Sequence, residues 1–303
     1  MGNRYRCAGS ASETYINNER VYDRVDIKSL NMVGTSFRVS TAELNGLLYL
    51  SGLPDNINSN QYALYTFDGE NYAKITSFAF WFSSICTFNN TIYGIDDNEN
   101  KLYRLNGTSI TFVINFPTES NSFAHEIFVL NNNLYLFSYN RIESDLNHIY
   151  RFTGSGWTEI ATISGDLSFP TCCLYNGAIH IITDNELAGS AYIHKIFNGT
   201  TLTDGALVPG RIQYYNAAYV INNKLRVFRV LDDESGADVY ELSGNTWSEN
   251  TVLNFEGWLN KELVLHEFNA FYYKNEQYLI GIEGSFMTKV TNPIKLGQYF
   301  ISS

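Results

Sequence analysis

LNNNLYLF, residues 130–137, holds the pattern on which the fold turns. The apolar Leu130 precedes the pair Asn131-Asn132, then come one more polar residue and an apolar run. Asn and Gly accept the positive φ of a tight hairpin turn, so the stretch predicts two antiparallel strands joined at Asn131. Related stretches are LNGLLYL from Leu44, FNNTIYGI from Phe88, YNGAIHII from Tyr175 and INNKLRVF from Ile221. Aligned on the turn they give Asn45, Asn89, Asn131, Asn176, Asn222 and Asn275, spaced by 44, 42, 45, 46 and 53 residues. Three residues beyond each stands an apolar side chain: Leu48, Ile92, Leu134, Ile179, Leu225 and Tyr278.

A second pattern lies between these hairpins. YTFDGENY from Tyr65, YRLNGTSI from Tyr103, YRFTGSGW from Tyr150, KIFNGTTL from Lys195 and YELSGNTW from Tyr240 align without a gap on Gly69, Gly107, Gly154, Gly199 and Gly244. Tyr stands four before the Gly in four of the five, and an apolar residue stands two before it in all (Phe67, Leu105, Phe152, Phe197, Leu242). A large apolar residue follows three later: Tyr72, Ile110, Trp157, Leu202 or Trp247. Alternation on both sides of a turn predicts a second hairpin, so each unit holds four strands. Four short strands per unit of roughly 40–50 residues, repeated along the chain, indicate a β-propeller, whose radial stacking hides sheet edges.

The pattern of hairpin Asn/Gly, then Leu-Tyr or Ile-Tyr, then Gly-x-x-Trp resembles kelch repeats over residues 36–290. The glycine pair usual in kelch second strands is reduced to Gly94 after Tyr93 and Gly52 after Ser51. The expectation is an all-β, six-bladed kelch-like β-propeller of four-stranded antiparallel blades, occupying residues 21–303. Its sixth unit lacks a clear second hairpin, with Pro293 in place of the turn Gly. Either Val21–Ile27 or Gly297–Ile301 is expected to complete the ring, and residues 1–20 form an N-terminal attachment arm.

Composition agrees. Aromatic residues make up 15% of the 303, a bias that suits pleated surfaces. Against 31 Asp and Glu stand 20 Lys and Arg, and the net charge of −11 repels phosphate backbones and anionic lipid, so nucleic acid is not an expected partner. No apolar run approaches the roughly 18 residues of a membrane helix, and the start MGNRYRCAGSASETY lacks a signal peptide's apolar core. The expectation is synthesis in the bacterial cytosol without a leader and without membrane insertion. Cys7, Cys86, Cys172 and Cys173 show no metal-ligand spacing and read as small hydrophobes.

The loops joining blades, and those joining second and third strands, share one face, the usual place for ligands. There the chain places LPDNINSN, DDNEN, SYNRIESDLN, TDNELAGS and VLDDESGA, acidic and Asn-rich. Carboxylate and amide oxygens suit calcium, but none of these loops has the Asp-x-Asp-x-Asp-Gly spacing that wraps one ion, so no cofactor is expected. Seven residues before the turn Asn, at the start of the innermost strand, stand Phe82, Phe169, Tyr215 and Phe268, with Trp81, His125 and Tyr214 as neighbours. These seven are the candidate ligand or partner face: rings for sugar stacking, or packing between blades. His180 and His194 fall inside predicted strands, where a structural role is expected. No Gly-x-Ser-x-Gly elbow, His-Glu-x-x-His helix or phosphate loop supplies a catalytic centre, and no catalytic residue is assigned. The rival reading is a carbohydrate-active propeller enzyme, similar to sialic acid epimerases or lyases.

YDRVDIKSLNMVGTSFRVSTAELNGLLYL, Tyr22–Leu50, is similar to the start of kelch-like proteins from tail gene clusters of phages and prophages of low-GC Gram-positive hosts. The resemblance implies a virion protein of a phage tail or tail-like particle, a non-enzymatic baseplate or receptor-binding component. It would hold other tail proteins through its terminal segments and touch a host cell-surface glycan through its loop face.

Overall fold

The computed structural model describes residues 12–16, 19–26, 40–54, 62–69, 71–96, 98–117, 122–140, 146–165, 167–185, 193–208, 218–221, 223–230, 236–254, 268–274, 276–283, 289–290 and 294–296. Their regular elements are all strands. The first blade consists of β3 (Ser40–Leu44), β4 (Leu47–Pro54), β5 (Tyr62–Phe67) and β6 (Tyr72–Phe78). The second holds β7 (Phe82–Phe88), β8 (Thr91–Asp96), β9 (Lys101–Asn106) and β10 (Ser109–Asn115). The third runs through β11 (Ser122–Leu130), β12 (Asn133–Asn140), β13 (Leu146–Phe152) and β14 (Trp157–Ser164). In the fourth are β15 (Leu167–Tyr175), β16 (Ala178–Asn185), β17 (Ile193–Phe197) and β18 (Leu202–Asp204), and in the fifth β19 (Ala218–Ile221), β20 (Lys224–Val230), β21 (Gly236–Ser243) and β22 (Thr246–Asn254).

Each of these five is a four-stranded sheet in chain order. A further sheet takes strands from both ends of the chain, in the order β1 (Ser12–Ile16), β2 (Glu19–Asp26), β26 (Ile294–Leu296), β24 (Glu276–Glu283) and β23 (Phe268–Tyr273). β25 (Lys289–Val290) pairs with β24 beside that path. The innermost strands form a closed cycle: β3 lies beside β7, β7 beside β11, β11 beside β15, β15 beside β19, β19 beside β23, and β23 beside β3. This is a β-propeller.

The first hairpins close as their sequence requires. Asn45, Asn89, Asn131 and Asn176 have φ of 53°, 47°, 50° and 49°, and the following Gly46, Asn90, Asn132 and Gly177 are also positive. Two consecutive positive φ values make the turn whose twist matches the strands it joins. In the sixth copy the alignment shifts by one: Tyr273 pairs with Glu276, and Lys274 holds the first turn position with φ 49°. Asn222 and Asn275 lie outside the described residues.

Alternation then sends each blade's two faces to its two neighbours. Leu48, Ile92, Leu134, Ile179 and Leu225 are all buried. Between the third and fourth blades, Tyr135, Phe137 and Ile149 meet Ile179, Ile181 and Phe197. Between the second and third, Tyr93, Ile95 and Leu102 meet Ile127, Leu134 and Leu136. Each such large apolar side chain contributes roughly 1.5–3 kcal/mol on burial, so the core is a series of interfaces between sheets. Trp157 and Trp247 add directed bonds, their Nε1–H groups donating across 42 and 41 residues to the carbonyls of Asn115 (3.1 Å) and Ala206 (2.9 Å).

Candidate functional site

The segment Phe78–Ser84, FAFWFSS, carries the chain from the outermost strand of the first blade to the innermost strand of the second. Three of its rings pack together: Phe78, Phe80 and Phe82 have pairwise centroid distances of 5.1, 4.9 and 5.2 Å. Phe80 stacks on Tyr103 at 4.6 Å, and Tyr103 meets Phe112, whose ring is 48% exposed. An aromatic wall therefore runs from the buried interface of the first two blades out to solvent.

Of the two roles open to Phe82, sugar stacking or packing between blades, its burial fits the packing. It is only 3% exposed and enclosed by Phe78, Phe80 and Tyr103. Its ring also rests on Gly94, where an added Cβ would come within 2.9 Å of it. The transfer of a phenyl ring from water into this interface outweighs anything an exposed edge could gain.

The ladder bulges immediately after Phe82, with Phe82 opposite Asp96, Ser84 opposite Ile95 and Ser83 left as the extra residue. The third and fourth blades bulge at the corresponding end, between Ala124 and Glu126 and between Ser168 and Thr171. His125 and Phe169 thus fall on bulges, and Phe268 opens β23. The side chains of His125, Phe169 and Phe268, and all of Tyr214 and Tyr215, lie outside the described residues. Bulges break strand alternation and re-aim side chains, which is why they gather at ligand-facing rims.

The register sets Phe82 of β7, Asp96 of β8 and Lys101 of β9 in one row at the loop end of the second blade. Beside this row lie four buried polar atoms with no hydrogen-bond partner among the described residues: Trp81 Nε1, Ser83 Oγ, Asp96 Oδ2 and Asn100 Oδ1. Asp96 is fully buried, and its Oδ1 accepts the backbone N–H of Asn98 (3.0 Å) and of Glu99 (3.4 Å), which fixes the carboxyl group in the turn. Burial pushes this carboxyl above its ordinary range, and the two N–H bonds offset that only in part. Asn100 takes a left-handed φ of 54°. Its carbonyl accepts from Phe116 N–H at 2.8 Å, locking the far side of the loop. Lys101 is held by Glu99. An unpaired buried polar atom costs about 1–3 kcal/mol, so these four are a local cost in stability at this end of the blade.

Trp81 was legible from the sequence and so was the DDNEN loop; Ser83 was not, because a bulge leaves no residue signature. No cluster of three or more His, Cys, Asp or Glu able to hold a metal occurs among the described residues. Other polar side chains among the described residues bond within the protein. Ser40 and Ser84 Oγ accept the backbone N–H of Ile85 (2.8 Å) and Ile127 (3.2 Å), stitching β3 to β7 and β7 to β11. Ser84 also donates to Glu126 Oε2 at 2.9 Å. Burial and then Glu126 push the Cys173 thiol up to about 12 and Cys86 higher still, so both stay protonated and unreactive.

No known protein family matches the sequence, and no curated protein does. Among solved structures, a mutant of Aleuria aurantia lectin in complex with alpha-methyl-L-fucoside superposes with a TM-score of 0.60 at 10% identity, over 87% of this chain and 96% of that one. The likeness establishes the fold: this chain is built as the lectin's propeller is.

Proposed function

We propose that this chain is a non-enzymatic binding propeller that recognises a cell-surface glycan through its second blade. The observation that carries the reading is the aromatic wall of Phe80, Tyr103 and Phe112, which reaches solvent at Phe112. Sugar sites present such aromatic faces to the ring carbons. That a lectin in complex with a fucoside shares the fold supports the reading. The kelch-like repeats and the tail-protein resemblance of Tyr22–Leu50 give it a setting. The protein is an adhesion or structural module of a phage tail or tail-like particle, in the baseplate or the receptor-binding fibre. Its terminal segments contact other virion proteins, and it needs neither cofactor nor calcium.

The test is binding of the purified protein to whole low-GC Gram-positive cells and to their isolated wall glycans, with chromatography of the supernatant. Retention on cells that falls in Phe112→Ala, with no sugar released or altered, is expected. Turnover of glycan would overturn the binding reading in favour of a carbohydrate-active enzyme. Tail or baseplate genes beside the coding sequence support the particle role, and sugar-catabolism genes would overturn it.

A further inference from the structure

The joint between the fourth and fifth blades is built unlike the joint between the second and third. In both, a Trp on the later blade's outer strand donates its Nε1–H to a carbonyl where the earlier blade's chain leaves it: Trp157 to Asn115 at 3.1 Å, Trp247 to Ala206 at 2.9 Å. At the repeat positions where the second blade packs Tyr93 and Leu102 into this interface, the fourth has His180 and His194. The imidazoles are wired into the Trp bond. The Ala206 oxygen that accepts from Trp247 also lies 3.1 Å from His194 Nδ1, and His194 Nε2 lies 2.8 Å from His180 Nδ1. The Trp247 ring meets His194 edge to face at 5.5 Å, and the Tyr175 ring meets His180 likewise at 5.3 Å. Gly205 leaves His194 no room to retreat, since a Cβ there would come within 2.3 Å of Nδ1. The rings therefore cannot part without moving residues 205–206, and with them the carbonyl that holds Trp247.

Among the described residues no carboxylate faces this pair. Cys173, opposite His180 in register, keeps its thiol protonated through burial, and Tyr175 and Tyr240 face the pair among the apolar Ile182, Leu225 and Val227. Lys195 with Asp204, and Arg226 with Glu241 and Lys224, alternate onto the other faces of the two blades. A neutral pair shares one proton across its 2.8 Å contact. One proton more places an unbalanced cation among apolar groups, and full protonation sets two N–H groups against each other. Burial accordingly holds both imidazoles below their ordinary range, His180 at about 4 with His194 as the second cause. Opened to water, where an imidazole titrates near 6.5, the pair takes up the proton more readily, so falling pH draws the joint toward its open form.

We propose that the fourth and fifth blades meet in an acid-released joint: proton uptake by His180 and His194 frees Trp247 from the Ala206 carbonyl and parts these two blades, while the joint of Trp157 and Asn115 stays shut. Exchange of the two indole N–H groups in deuterium oxide, followed in the 1H–15N spectrum of the full chain, tests this. Trp247→Phe and Trp157→Phe assign the signals. The intrinsic pH dependence of indole exchange cancels in the ratio of the two rates, Trp247 over Trp157. That ratio should rise by roughly tenfold or more between pH 7 and pH 5, the gain of a group whose pKa moves from about 4 to near 6.5 on opening. His180→Tyr with His194→Leu should hold it flat, and so should His180→Gln with His194→Gln, a second variant in case the first does not fold, each checked by circular dichroism. A flat ratio in the unaltered protein, or a rise that persists in a folded variant, would overturn the proposal. So would a common acceleration of both indoles, which reports unfolding of the whole ring.

Discussion

His180 and His194 show how one repeat position can change chemistry inside a fixed scaffold. Where the fourth blade has His180, the first three have Tyr49, Tyr93 and Tyr135; where it has His194, they have Leu64, Leu102 and Ile149. Both imidazoles are buried. His194 Nδ1 lies 3.1 Å from the Ala206 carbonyl and its Nε2 lies 2.8 Å from His180 Nδ1, one ring's N–H donating to the lone pair of the other. Burial and then the neighbouring His194 depress His180 to about 4. The unfolded chain, with its ordinary value near 6.5, therefore takes up the proton first as the pH falls. Stability should be full above about pH 6.5 and decline toward pH 4, by roughly 3 kcal/mol in all at about 1.4 kcal/mol per unit. Urea unfolding between pH 4 and 8 measures this, and the double variant His180→Tyr/His194→Leu, which restores the residues of the other blades, should flatten that limb. In the fifth blade the same position is Arg226, 1% exposed, whose Nε and Nη2 donate to Glu241 Oε2 at 3.0 and 2.8 Å. Burial alone would raise Glu241, but Lys224 and Arg226 outweigh it and hold the carboxyl below its ordinary range. Arg226→Ala should cost about 3–5 kcal/mol, whereas Arg226→Met with Glu241→Leu should come out near neutral, as measured by denaturant unfolding. The residue types were visible in the sequence; their pairing was not, because His180 and His194 meet diagonally across β16 and β17.

Among the elements, the hairpins were the most legible. A left-handed backbone costs roughly 1–2 kcal/mol for an ordinary residue, a penalty Asn and Gly evade, and it stamped those two residues on the first hairpin turns of five blades, the sixth placing Lys274 there. Asn131→Ala should therefore destabilise by about 1 kcal/mol and Asn131→Gly by far less, a difference that paired thermal melts can resolve. The aligned second-hairpin glycines conceal two loop lengths. Gly107 and Gly244 sit in two-residue turns, while Gly69, Gly154 and Gly199 sit in four-residue loops between Phe67 and Tyr72, Phe152 and Trp157, and Phe197 and Leu202. Asp68, Thr153 and Asn198 open the longer loops and bond across them to Asn71, Gly156 and Thr201. The outer strands bulge opposite the repeat Tyr in four blades, next to Tyr65, Tyr103, Tyr150 and Tyr240. Such an extra residue increases local twist and answers to the curvature of the whole blade, so no local propensity announces it.

For the whole molecule the decisive event is closure. Tyr273 Oη–H donates to the carbonyl of Gly46 across 227 residues, and Lys274 Nζ donates to the carbonyl of Asp68 at 2.7 Å. β2 pairs with β26 through Arg24–Leu296, Val25–Lys295 and Asp26–Ile294. Tyr273→Phe should cost about 1 kcal/mol, one net hydrogen bond, in a chemical melt. Deleting residues 1–26 should lower the melting temperature more than that substitution does, because it strips the closing sheet of two strands and leaves β26 with a bare edge. By itself the sequence determined the strands, their turns and their fourfold grouping, since these depend on the φ each residue tolerates and on alternation between neighbours. Only the tertiary structure decided that Phe82 is buried while Trp81, Ser83, Asp96 and Asn100 keep unmatched polar atoms. That outcome depends on a bulge and on packing between the first two blades, which no stretch of the chain encodes alone.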